Sequence, residues 1–175
     1  MSGAGVKTAS HVMTRVDIST GMAFDDFRSR FERAAPAFDV QPFERIIETG
    51  GSWADVQSAL EAMAPHQLTR YATIDTTAMM TLAGNTTKAV EYLMGNHVIA
   101  ESMFRHDPRA LLYAPLRVLM FSDAEGNAVF SLDRPSMAFG SLGIDEVTRI
   151  GLGLDDKVAA LLQFLGVDFY FGQPA

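Results

Sequence analysis

Two of the chain's four histidines, three arginines and a Gly-Asn pair fall between Tyr92 and Arg117. Within that stretch His97 and Glu101 stand four residues apart, and a helix there places both side chains on one face about 6 Å apart. A neutral imidazole and a carboxylate are both metal donors, so the spacing suits two ligands of one ion. Two ligands are too few for a tight site. His106, nine residues beyond His97, is half a turn out of phase on a continuous helix and joins only if the helix ends early. The competing role for His97 is structural, in the first helical turn with a backbone or carboxylate partner. His97 and Met103 are also haem-ligand types, but a chain with no cysteine has no Cys-x-x-Cys-His attachment site.

The neighbouring groups offer other chemistry, each with a plainer reading beside it. His106-Asp107 pairs an imidazole with a carboxylate, which raises imidazole basicity. Adjacent residues rarely face each other, however, and Asp107-Pro108 reads as a helix end and turn. Asn96 is placed to cap the helix that His97 opens, and such a helix start offers free N–H groups to an anion. Arg117, on a strand, either anchors an anionic ligand or pairs with Asp133 on the next strand. Tyr113 completes the candidate ligand-binding set of Asn96, His97, Glu101, His106, Tyr113 and Arg117, with His97 and Glu101 as the candidate metal pair. No serine sits in a Gly-x-Ser-x-Gly pattern. Gly151-x-Gly153 lacks the third glycine of a dinucleotide loop and lies late in a helical pattern.

The elements that must position these groups follow from periodicity. Residues 11–18 read as a strand, and Thr20 as the cap of a helix carrying Phe24, Phe27 and Phe31, with Asp26–Arg30 as an i,i+4 pair and Pro36 as its stop. Residues 36–51 read as an irregular connection with one short helical turn. Ser52 caps a helix whose stripe is Trp53, Val56, Leu60 and Met63, with Trp53 as a core anchor. Leu68–Asp75, Thr76–Leu82 and Lys88–Met94 read as strands, with a turn at Gly84-Asn85. A short helix follows from His97 to about Arg105. Residues 115–121 and 128–133 form a hairpin about Asp123–Asn127. The last helix runs from about Asp145 to Leu165 and ends at Gly166, with Gly151 and Gly153 marking a close approach or a break. The methionines, Met79-Met80, Met94, Met103 and Met120 among them, are core fillers that also suit a loose apolar ligand. The aromatic tail Phe169-Tyr170-Phe171 must pack on its own body or on a second copy. The class is α+β, with helices on one face of a curved antiparallel sheet.

Composition limits the function. At 48% hydrophobic and 20% charged residues the chain has the balance of a folded soluble domain. A net charge of −7 and scattered basic residues argue against nucleic acid, because Arg105, Arg109 and Arg117 are too sparse for a basic stripe. No apolar run reaches the roughly 18 residues of a membrane helix. The first ten residues lack the apolar core of a secretory signal, which points to the cytoplasm.

Gly95-Asn96-His97-Val98-Ile99-Ala100-Glu101-Ser102-Met103, Leu112-Tyr113-Ala114-Pro115-Leu116-Arg117-Val118-Leu119 and Asp133-Arg134-Pro135-Ser136 resemble the bacterial and archaeal family DUF302, a domain of unknown function. The likeness extends more weakly over residues 52–167. Residues 1–51 read as an added strand, helix and connection, and 168–175 as a tail, all within one domain of 175 residues. Family members commonly carry Gly-Asn-Pro where this chain has Gly-Asn-His. The resemblance implies a TBP-like fold of order β-α-β-β-β-β-α, often homodimeric, and no reaction or cofactor. Three functions remain open: a binding protein for a small, partly apolar or anionic molecule in a cleft between sheet and helix, a metal or haem enzyme using His97 and Glu101, and a non-catalytic oligomerisation protein.

Overall fold

The computed structural model describes residues 5–172. Alternating apolar residues generate the sheet. β3 (Ala89–Gly95) buries Val90, Tyr92 and Met94, and β4 (Leu116–Ser122) buries Leu116, Val118 and Met120. β5 (Asn127–Asp133) turns Ala128, Phe130 and Leu132 to the same side. This is the period of two that sets one strand face against a core. With β1 (Arg15–Ala23) and β2 (Thr69–Asp75) at the edges, the open antiparallel sheet runs β1-β5-β4-β3-β2. Its inner face meets α1 (Phe24–Ala34), through Phe27 and Phe31, and α7 (Asp145–Phe164), through Val147, Leu154, Val158 and Leu161. The α+β architecture expected from sequence is therefore the one observed.

The local readings hold where side-chain chemistry decides them. Ser52 and Asp55 form a reciprocal capping box at the start of α3 (Trp53–Met63). Gly166 ends α7 with a positive φ, and Val167 N–H reaches back to Leu162 O at 2.9 Å, the wide bond of a Schellman turn. α1 ends at Ala34, just ahead of Pro36, and Arg70 fastens the departing chain to β2 by donating from Nε to Ala35 O at 2.7 Å. Phe169 and Phe171 pack on the chain's own core, with Tyr170 left exposed.

Other readings change. β1 begins at Arg15, four residues later than the expected 11–18 strand, and runs five residues further, to Ala23. Thr20 caps no helix. It sits at a break in register and donates to Ala128 O at 2.8 Å. Arg28, not Arg30, makes the helical ion pair, with Glu32 at 2.9 Å and with Asp75 at 2.6 Å. Residues 36–51 hold a two-turn helix, α2 (Gln41–Glu48), which Pro42 opens. Thr76–Leu82 is not a strand: α4 (Thr77–Leu82) stands there, with Asp75 Oδ1 accepting from Thr77 N–H at 3.0 Å. Its apolar side chains have no sheet face to join, and Met79 is 70% exposed. A short apolar run looks the same in either state, so only the available packing surface separates them. Trp53 is also no core anchor. It is 42% exposed at the first turn of α3, and Leu60 is that helix's one buried residue.

Two glycines of α7 separate cleanly. A Cβ on Gly151 would lie 3.1 Å from Phe139 Cβ and 3.2 Å from Ser136 Cα, so its absence lets α6 (Pro135–Gly140) lie against α7. A Cβ on Gly153 would meet nothing within 4 Å. Gly153→Ala is expected to raise stability by up to about 1 kcal/mol through helix propensity alone. Gly151→Ala is expected to lose that gain and about 1 kcal/mol more, because backbone must move. Chemical denaturation of the two variants side by side checks the opposite signs.

Candidate functional site

α5 (His97–Phe104) starts where β3 ends, and Asn96 makes the junction. Its Oδ1 accepts from Val98 N–H at 2.9 Å and Ile99 N–H at 3.2 Å, while Nδ2 donates to Gln67 O at 2.9 Å. The capping role read from sequence is thus the observed one.

His97 opens α5, and its partner is neither backbone nor carboxylate. The Tyr71 hydroxyl lies 2.9 Å from His97 Nδ1. The Tyr71 ring reaches this position because Gly95 has no side chain: a Cβ there would lie 2.8 Å from Tyr71 Cε2. Phe38 and Phe43 stack on each other and tilt against the imidazole, with Phe38 5.0 Å from it between ring centroids. His97 keeps an exposed edge at the surface, but this aromatic surround strips water from the ring and lowers its pKa. Burial pushes the Tyr71 phenol up to about 12, against a small opposing effect of Thr69.

Behind this pair lies a cavity of about 210 Å³. Met94 closes it from the sheet, Ile99, Ala100 and Met103 from α5, and Phe139 and Leu154 from α6 and α7. Tyr71, Asn96 and His97 are its polar residues, and no lysine, arginine or carboxylate lines it.

The other expected site residues lie elsewhere. Glu101 is engaged by Arg105, whose Nε donates to it at 3.1 Å. His106 is exposed beyond the end of α5 and lies outside the cavity lining. Asp107 turns away from it to cap the tight turn at Pro108–Leu112 and to hold Arg109, with Oδ1 accepting from Arg109 N–H at 2.8 Å. That arginine keeps the Asp107 carboxyl below the usual range. Tyr113 and Arg117 line a separate cleft of about 320 Å³ that shares only Pro115 and Leu116 with the cavity. Arg117 is exposed and 3.8 Å from Asp133, the expected partner at a loose distance. Among the described residues no group of three histidine or acidic side chains could hold a metal ion. No helix of the described chain is long and apolar enough to cross a membrane.

Sequence reasoning missed Tyr71, Phe38 and Phe43. The signal available was Gly95, a glycine at the end of a strand, where a missing side chain allows a close approach by a neighbour without naming it.

No curated protein matches the chain. Its structure is similar to the crystal structure of an uncharacterised conserved DUF302 protein from Bacillus stearothermophilus, with a TM-score of 0.58 and 14% identity, over 86% of this chain and 95% of that one. At that identity the likeness speaks to the fold alone. The family profile described as domain of unknown function DUF302 matches residues 47–165, which hold α3, the four strands β2–β5, α5 and α7, and with them the Gly95-Asn96-His97 junction. The chain therefore belongs to the DUF302 family.

Proposed function

We propose that this protein binds a small, mainly apolar molecule in the cavity between α5, the sheet and the α6–α7 pair. The observation that carries the reading is the contrast between an apolar interior and a polar group at its rim, the arrangement by which small-molecule sites hold and orient a ligand. Size sets the class. Drug-sized ligands need cavities of roughly 300 Å³ or more, whereas a cavity of about 150 Å³ lodges benzene. The 210 Å³ here suits a single ring with a short substituent. Met94 and Met103 supply unbranched, adaptable walls.

Ethylbenzene added to protein carrying 13C-labelled methionine methyls is expected to shift Met94 and Met103 saturably, leaving exposed Met79 in place. Ala100→Phe, which places a ring in the cavity, is expected to weaken that binding at least about tenfold with the melting temperature unchanged or raised, because an apolar void is filled. Unmoved Met94 and Met103 signals at saturating ethylbenzene would sink the reading. Native mass spectrometry of the purified protein, against the same sample denatured, would reveal a resident ligand as mass lost on unfolding.

A homodimer is the second part of the proposal. The sheet face turned away from the core carries Leu93, Leu119 and Phe121, with Leu119 41% exposed, and an apolar patch of this kind favours a second surface. Leu119→Lys is expected to give a monomer by sedimentation, and an unchanged sedimentation coefficient would count against pairing through this face.

A further inference from the structure

We infer that the cavity selects an uncharged ligand carrying one hydrogen-bond acceptor, such as a ketone oxygen, and that His97 Nε2–H receives it. This inference rests on the proposed binding site and narrows its chemistry.

Three observations exclude a charged ligand. No cationic side chain lines the cavity to meet an anion, and no carboxylate lines it to meet a cation. Two of the amide hydrogens that this helix start would offer an anion are already used, because Asn96 Oδ1 accepts from both Val98 and Ile99. Arg117, the candidate anion anchor read from sequence, lines the separate cleft with Tyr113.

In this proposal Tyr71 is the donor and His97 Nδ1 the acceptor of their shared hydrogen bond. Its phenol stays protonated at neutral pH and stands 2.9 Å from His97 Nδ1. The imidazole, partly desolvated by Phe38, is neutral there too. A neutral imidazole carries one N–H. With the Tyr71 O–H donating to Nδ1, that proton resides on Nε2, and the ring presents a donor. No protein group accepts from Nε2 in the described structure, and His97 is itself part of the cavity lining. Tyr71 is thus a positioning residue: it sets the tautomer and orientation of the ring that touches the ligand, and Gly95 makes room for it.

Three probes of near-equal size separate the possibilities: acetophenone, ethylbenzene and benzoate, titrated by methionine-methyl NMR. Acetophenone and ethylbenzene are expected to bind and benzoate to bind at least about tenfold more weakly than acetophenone. His97→Phe is expected to weaken acetophenone about tenfold, since its buried oxygen loses its donor, and to leave ethylbenzene within about twofold. Long-range 1H–15N spectra are expected to show the Nε2–H tautomer of His97 in the wild type and a tautomer mixture in Tyr71→Phe at unchanged melting temperature. An Nδ1–H tautomer, equal losses of ketone and hydrocarbon in His97→Phe, or benzoate binding as tightly as acetophenone would each overturn the inference while ethylbenzene binding upheld the cavity. Absence of ethylbenzene binding would remove the cavity reading and this one together.

Discussion

Replacing Asp155 by alanine is expected to cost about 3–5 kcal/mol of stability and lower the melting temperature by roughly 10 °C. Asp155 lies on α7 and is 2% exposed. Its carboxylate accepts from Arg134 Nε at 2.7 Å, from Ser136 N–H at 2.9 Å and from Ser136 Oγ at 2.6 Å. It therefore caps the start of α6 from outside that helix and neutralises a nearly buried guanidinium. Removing it strands the Arg134 charge and two donors together, which is the costly way to break a buried pair. Arg134 also lies over the Phe171 ring, 5.3 Å from its centroid, so the aromatic tail is expected to loosen in the same variant. Arg134→Met combined with Asp155→Leu is expected to recover part of the loss, because no lone charge is left behind. Guanidinium denaturation of the three variants decides it; a loss below about 1 kcal/mol in Asp155→Ala would show that water reaches and solvates the pair.

Phe31→Ala is expected to have a comparable effect, about 3–5 kcal/mol, in one cooperative transition. Phe31 has no exposed surface and packs its ring 4.9 Å from Tyr92 and 5.6 Å from Phe130. Glu32 beside it accepts from the Tyr92 hydroxyl at 2.8 Å and pairs with Arg28. These contacts join α1, which lies outside the matched family segment, to β3 and β5 inside it. β1 likewise covers the edge of β5 that would otherwise be open. We accordingly expect a chain starting at residue 52 to lose cooperative unfolding, measured by calorimetry. A sharp transition in that truncated chain, or a separate low-temperature transition in Phe31→Ala, would show that the first 51 residues form an independent unit.

Much of this organisation is legible in single residues. Ser52 with Asp55, Asn96 ahead of His97, the Asp123–Asn127 turn and Gly166 each satisfy or release local backbone groups, so their roles follow from chemistry within a few positions. Alternation in β3 and β4 and the helical stripe of α7 similarly imply one buried face each, and hence the α+β class. Errors arose where a residue's fate depends on what faces it. Trp53 and Met79 are apolar enough for the core, yet no surface is left to cover them. Thr76–Leu82 has strand-forming residues, yet it folds as α4 in the connection between β2 and β3, which pair directly with each other.

The candidate site divides the same way. Sequence alone determined that Asn96 caps a helix opened by His97, whereas the structure extends the strand before them by one residue to include Gly95. Only tertiary structure decided what these residues meet: Tyr71 comes from the neighbouring strand 26 residues away, Phe38 and Phe43 from α2 and the segment before it, and Phe139 and Leu154 from the last two helices. It also separated Tyr113 and Arg117 from His97 and gave Glu101 to Arg105. Local spacing specifies which face of an element a side chain occupies, because backbone periodicity is a property of the element itself. Which groups then converge on a cavity depends on how several elements share one core, and that is decided by the packing of the whole chain.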